Sequence, residues 1–266
     1  GTTCWALQPR RRIVGAELLG TAQIPRDTTV PGATGVVGGL SGLSSDSASG
    51  ERVYAVSDRG DVFSGTVTVS TTEGLRVVLD RAFHVGITGG SASRPLYVDA
   101  EGIAVCRSGG GRESEVPLLV STEDPPRVAR LHKADGSVWT GPPDLPPVRL
   151  SHIINETSTR RNGQLESLSC WTGGDSAEGI SLARSTPAAG TIFTANELSL
   201  RQDSEPPELW DSGTIGGSVR IFSINRSTGT IERTTRYVLD RRAGNGLVDL
   251  EVVASGGGLL TMERSY

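Results

Sequence analysis

Short apolar runs alternate with glycine-rich turns along the chain, and four pairs of these runs share one pattern. An acidic or small polar residue opens a short apolar strand, a turn follows, and a second apolar strand ends on an acidic residue. The first pair joins Gly39-Leu-Ser-Gly-Leu-Ser to Val53-Tyr-Ala-Val-Ser-Asp58, and the second joins Asp99-Ala-Glu101-Gly-Ile-Ala-Val to Pro117-Leu-Leu-Val-Ser-Thr-Glu123. The third joins Leu165-Glu166-Ser-Leu-Ser to Thr191-Ile-Phe-Thr-Ala-Asn-Glu197, and the fourth joins Leu247-Val-Asp249-Leu-Glu-Val-Val to Leu259-Leu-Thr-Met-Glu263-Arg264. The acidic ends Asp58, Glu123, Glu197 and Glu263 stand 65, 74 and 66 residues apart. That spacing is too long for solenoid coils and suits the blades of an elaborated β-propeller. No sustained helical period competes with it.

The stretches between the pairs read as outer strands: Gly65-Thr-Val-Thr-Val and Arg76-Val-Val-Leu in the first unit, and Arg127-Val-Ala-Arg-Leu-His in the second. In the third, Ser218 to Ile224 and Thr230 to Leu239 flank Asn225-Arg-Ser-Thr-Gly, the clearest hairpin signal in the chain. The expectation is one all-β, propeller-like domain over residues 1–266, with 1–38 an N-terminal arm and closing strand and 39–264 the repeats. Ile13 to Gly20 is the candidate for the strand that closes a ring. The fourth unit ends at Tyr266 without sequence for an outer pair. Either the chain is a fragment or a protein partner completes the fold.

Composition agrees with this picture and removes some functions. The 35 glycines and 14 prolines, scattered between β-branched runs, suit many tight turns. A net charge of −4 offers no basic face for phosphate backbones, which argues against nucleic acid as a partner. No run of about eighteen apolar residues is present to span a membrane. Cys4, Cys106 and Cys170 lack metal-ligand spacing and allow one disulfide with a free thiol or three buried thiols. With the glycosylation-type triplets at Asn155 and Asn225, the cysteines point to an extracytoplasmic compartment. The three histidines, His84, His132 and His152, form no zinc-type cluster, and no Gly-x-Ser-x-Gly elbow occurs. A serine-hydrolase triad is not expected.

Taken in order, Ser57-Asp58-Arg59-Gly60, Asp99-Ala-Glu101-Gly102-Ile103, Ser121-Thr122-Glu123, Asn162-Gly163-Gln164-Leu165-Glu166, Asn196-Glu197 and Leu259-Leu-Thr-Met-Glu263-Arg264 resemble the phytase-like family, labelled "esterase-like activity of phytase". The resemblance runs from about Gly39 to Arg264. It implies a β-propeller-like extracytoplasmic protein that hydrolyses phosphate or carboxylic esters. Two features depart from the family pattern: further strands after the Glu-Arg motif are missing, and Ser167 follows Glu166 where glycine is usual.

In a propeller the inner strands converge on a central channel, so acidic residues at equivalent positions meet. Their mutual repulsion has two answers. One is a hard cation such as calcium, which takes six to eight oxygen ligands. In that case Asp58, Glu101, Glu123 and Glu263 are the metal ligands, and Glu166, Glu197 and Arg264 form the catalytic set. Arg59, Arg127 and Asn162 would then bind a small-molecule ester. The other answer is pairing with arginine, which makes the ring a device that stitches blades together in a non-catalytic accessory subunit.

Overall fold

In a computed structural model, the structure describes residues 20–45, 51–70, 74–84, 99–106, 117–123, 127–133, 148–149, 165–171, 190–200, 203, 217–239, 245–253 and 258–265. These form four antiparallel sheets in chain order, and the all-β expectation holds. Blade 1 contains β1 (Leu40–Ser45), β2 (Arg52–Ser57), β3 (Asp61–Ser70) and β4 (Gly74–His84). Blade 2 contains β5 (Ala100–Val105), β6 (Pro117–Thr122), β7 (Arg127–Lys133) and β8 (Val148–Arg149). Blade 3 contains β9 (Leu165–Trp171), β10 (Thr191–Asn196), β11 (Ser218–Asn225) and β12 (Ile231–Val238). Blade 4 is the pair β13 (Asn245–Val253) and β14 (Gly258–Ser265). Each complete blade is a meander, and the expected 218–239 hairpin is the outer pair of blade 3.

The burial pattern explains why the second strands read as unbroken apolar runs. Every residue of β6 and β10 is buried, because each strand lies between two cores. Alternate side chains of a strand point to opposite faces. Leu118 and Val120 of β6 therefore join Tyr54, Val56 and Ile103 in a core shared by blades 1 and 2. Leu119 points the other way, into a core with Leu165, Leu168, Ile192 and Phe222 that blades 2 and 3 share. Phe193 and Ala195 of β10 meet Leu247 and Leu250 in the core between blades 3 and 4. The outermost strand β12 is mostly exposed and reads Arg233-Thr-Thr-Arg at its centre.

The inner strands β1, β5, β9 and β13 neighbour one another in chain order, and among the described residues no closed ring is formed. Close approach between them needs small residues. A side chain at Gly42 would meet the β5 backbone at 2.6 Å, and one at Gly102 would meet the Leu168 amide of β9 at 2.8 Å. The equivalent in blade 3 is Ser167, fully buried, whose carbonyl accepts a bond from Thr194 Oγ1 at 2.7 Å. The arm is described from residue 20 and packs Val30 and Val37 on Phe63 and Ala82 of blade 1. The closing strand expected from Ile13 lies outside the described residues.

One disulfide, Cys106–Cys170, joins the end of β5 to β9. It sits at the far end of these strands from Glu101 and Glu166, roughly 13 Å along β9 at a strand rise of about 3.3 Å per residue. Nearby, the largely buried Arg226 donates from Nη1 to the Cys106 carbonyl at 3.1 Å. Cys4 lies outside the described residues.

Candidate functional site

Every inner strand carries the same irregularity. Leu40 pairs with Ser57 and Gly42 with Val56, so Ser41 is an extra residue bulged out of the ladder. Glu101, Glu166 and Val248 are the extra residues at the same place in blades 2, 3 and 4. A β-bulge re-aims the side chain it carries, and bulges concentrate beside functional sites. The register also shows which strand ends are equivalent. Ser57, Thr122, Asn196 and Glu263 face the residue before each bulge, so the residues that follow them are Asp58, Glu123, Glu197 and Arg264. In blade 4 the position equivalent to the acids is thus held by Arg264, one residue beyond the Glu263 expected from spacing.

Blades 2 and 3 place a carboxylate at both positions, and these four groups come together. Oxygens of Glu123, Glu166 and Glu197 all lie within 4.8 Å of one another, and so do oxygens of Asp99, Glu101 and Glu123. Glu123 belongs to both groups. Glu197 is only 2% exposed and Glu123 only 5%. Asp99 is the carboxylate of these groups that the repeat pattern did not single out. Its signal was its place two residues before Glu101 at the start of the same strand.

Burial in such company makes charge costly. Loss of hydration, followed by repulsion from Glu166, Asp99 and Glu123, pushes the Glu101 carboxyl up to about 9, against a weaker opposing bond from Ser41. Glu166 is pushed up to about 8, chiefly by burial and then by the Glu197 and Glu123 charges. Glu197 rises to about 7 through burial, while Arg264 and a hydrogen bond from Glu166 hold it lower. Burial and mutual repulsion thus favour a proton shared within the Glu166–Glu197 pair.

Glu197 is held firmly from the backbone. The preceding Asn196, fully buried, accepts from the Arg220 amide at 2.9 Å and donates to the Leu198 carbonyl at 2.5 Å. Arg220 in turn ion-pairs with Asp203 at 2.5 Å. From blade 4, Arg264 Nη2 reaches Glu197 Oε1 at 3.5 Å, with the arginine side chain 56% exposed.

The remaining expected residues lie apart. Asp58 rests against Gly39 and has Arg59 at 4.0 Å, outside both carboxylate groups. Glu263 accepts from Tyr237 Oη at 2.8 Å and Asn245 Nδ2 at 3.1 Å. Arg127 sits in β7 opposite Thr122, next to Glu123 in sequence, while its side chain and the whole of Asn162 lie outside the described residues. His84 Nδ1 pairs with buried Asp61 at 3.1 Å in the outer half of blade 1.

The donor set, five carboxylates with no sulfur or imidazole among them, suits a hard divalent cation. No helix of the described residues is long and apolar enough to cross a membrane. No curated protein matches the chain. The family described as phytase-like, "esterase-like activity of phytase", matches residues 36–266, and the chain belongs to that phytase-like family.

Proposed function

We propose that the chain is an extracytoplasmic hydrolase of phosphate esters whose carboxylate cluster holds a divalent cation, calcium being the first candidate. The observation that carries this reading is the pair of three-carboxylate groups sharing Glu123, with a half-exposed arginine at their edge. Asp99, Glu101, Glu123, Glu166 and Glu197 would hold the cation. When bound, it would supply Lewis-acid polarisation of a phosphoryl oxygen and neutralise charge in the cluster. Arg264 presents a planar donor fork beside Glu197 and would orient the anionic group of the substrate. Held ionised by the cation, Glu166 and Glu197 would be able to take a proton from the attacking water. Phosphate esters are favoured over carboxylic esters because a neutral ester has no use for the arginine. The Cys106–Cys170 disulfide supports an oxidising compartment.

The test pairs binding with turnover. Calcium titration by calorimetry, followed by assays on p-nitrophenyl phosphate and p-nitrophenyl acetate, is expected to show cation-dependent phosphate release that Glu123→Gln abolishes. Calcium binding without turnover of either ester would favour the rival reading, an accessory propeller subunit. That rival draws on β14, which exposes Leu260 and Met262. Absence of calcium binding would remove the cation from the proposal.

A further inference from the structure

Gly246 is the second residue of β13, and its backbone conformation gives no reason for a glycine. It is not among the residues with positive φ, unlike Gly39, which holds the equivalent place in blade 1 with φ 61°. The equivalent residue of blade 2 is Asp99, so this position accepts a side chain. What the missing side chain makes room for is its neighbour. A Cβ there would stand 2.9 Å from both Cγ and Oε1 of Glu197 and 3.2 Å from Cδ, closer than side chains normally pack. Nothing else lies as near among its three closest neighbours; all belong to that one carboxylate arm.

Two further contacts show what the space is for. The Leu247 amide donates to the Glu197 carbonyl at 3.0 Å, tying the corner of blade 3 to the start of β13. Across the β13–β14 ladder Gly246 pairs with Arg264, whose guanidinium reaches Glu197. The Glu197 side chain thus crosses the junction between blades over the bare backbone of Gly246. We infer that Gly246 is a positioning residue of the carboxylate cluster: its missing side chain is the slot that seats Glu197 between Glu166 and Arg264. This rests on the cluster being the working site, but the contact itself can be tested without that premise.

The glycines facing β5 and β9 differ in kind. An addition at Gly42 would strike the β5 backbone, and one at Gly102 the Ser121 hydroxyl and the Leu168 amide, so that each presses on backbone that cannot move without shifting a strand. An addition at Gly246 strikes the end of a side chain, so the cost falls mainly on where Glu197 sits.

The experiment is a double-mutant cycle in chelator, read by thermal unfolding, with calcium titration of the same proteins. Gly246→Ala is expected to lower the melting temperature with Glu197 present and to have no effect in the Glu197→Ala background, which lacks the Cγ, Cδ and Oε1 atoms that the new methyl would meet. Should Gly246→Ala alone fail to fold, folding of the double variant supports the inference. Equal shifts in both backgrounds, zero or complete loss included, overturn it. In the calcium titration, Gly246→Ala is expected to weaken binding about 10- to 100-fold, the usual effect of disturbing a ligand's support. Gly38→Ala, which meets nothing within 4 Å, serves as the neutral control. Unchanged affinity in Gly246→Ala overturns the inference. If the native chain binds no calcium, the cation reading fails and the cycle alone decides the contact.

Discussion

Blade 1 and the junction of blades 2 and 3 are built on one backbone plan and carry different chemistry. In each blade a bulge on the inner strand and the corner after the second strand point residues toward the same region. Blades 2 and 3 fill both places with glutamate, whereas blade 1 has Ser41 and Asp58 and blade 4 has Val248 and Arg264. The row is thus most acidic in the middle, with the single carboxylate of Asp58 at one side and the cation of Arg264 at the other. The repeated backbone is a scaffold; two side-chain positions per blade decide what it does.

The sharpest way to break this contrast is Glu123→Gln. Because Glu123 belongs to both carboxylate groups, its loss is expected to lower calcium affinity at least about 100-fold by calorimetry, at the upper end of single-site effects at metal centres. Glu101→Gln or Glu166→Gln leaves one group whole and should cost less. Asp58→Asn in blade 1 should leave affinity nearly unchanged; an equal loss there would end the distinction between the regions.

The disulfide belongs to the same junction. Cys106→Ser with Cys170→Ser is expected to cost about 2–5 kcal/mol of stability, measured by denaturant unfolding. Its removal should expose the repulsion between the blades, so added calcium should stabilise this variant proportionally more than the native chain.

A smaller effect concerns pH. Glu101, Glu166 and Glu197 have folded values of about 9, 8 and 7 against 4.5 for an ordinary glutamate. Between those limits the folded state binds more protons than the unfolded one, so cation-free stability should fall as pH rises from about 4.5 toward 9. In chelator the melting temperature is expected to drop on the order of 5 °C across this range. Glu101→Gln should flatten the curve, and calcium should cancel most of the slope at high pH. A curve that rises with pH would contradict the arrangement.

The smallest effect should come from Arg264→Lys, which keeps the charge but loses the two-point fork. A few-fold rise in KM for a phosphate ester, with kcat little changed, would mark Arg264 as a substrate holder. If calcium affinity falls instead, its main duty is seating Glu197.

Much of this molecule was legible before its structure. The four-unit pattern located the inner two strands of every blade, and the hairpin around Asn225 located an outer pair. Glu101, Glu123, Glu166 and Glu197 stood out because equivalent strand ends must converge. The fourth acidic end did not transfer. Spacing selected Glu263, but in the ladder Glu263 faces Leu247 and so stands where Thr122 and Asn196 stand, and Arg264 takes the place equivalent to the acids. Gly246 was invisible as a site residue because its role is a contact made across a blade junction. No local pattern records such contacts.

By itself, then, the sequence determined the strand content, the number of units and the carboxylates available, since these follow from hydrophobic period, turn residues and repeat spacing. Tertiary structure alone decided which carboxylates meet, which cysteines pair, and that an arginine closes the acidic row. Those depend on bulges and on blade-to-blade packing, where displacement by one residue turns a side chain to the other face.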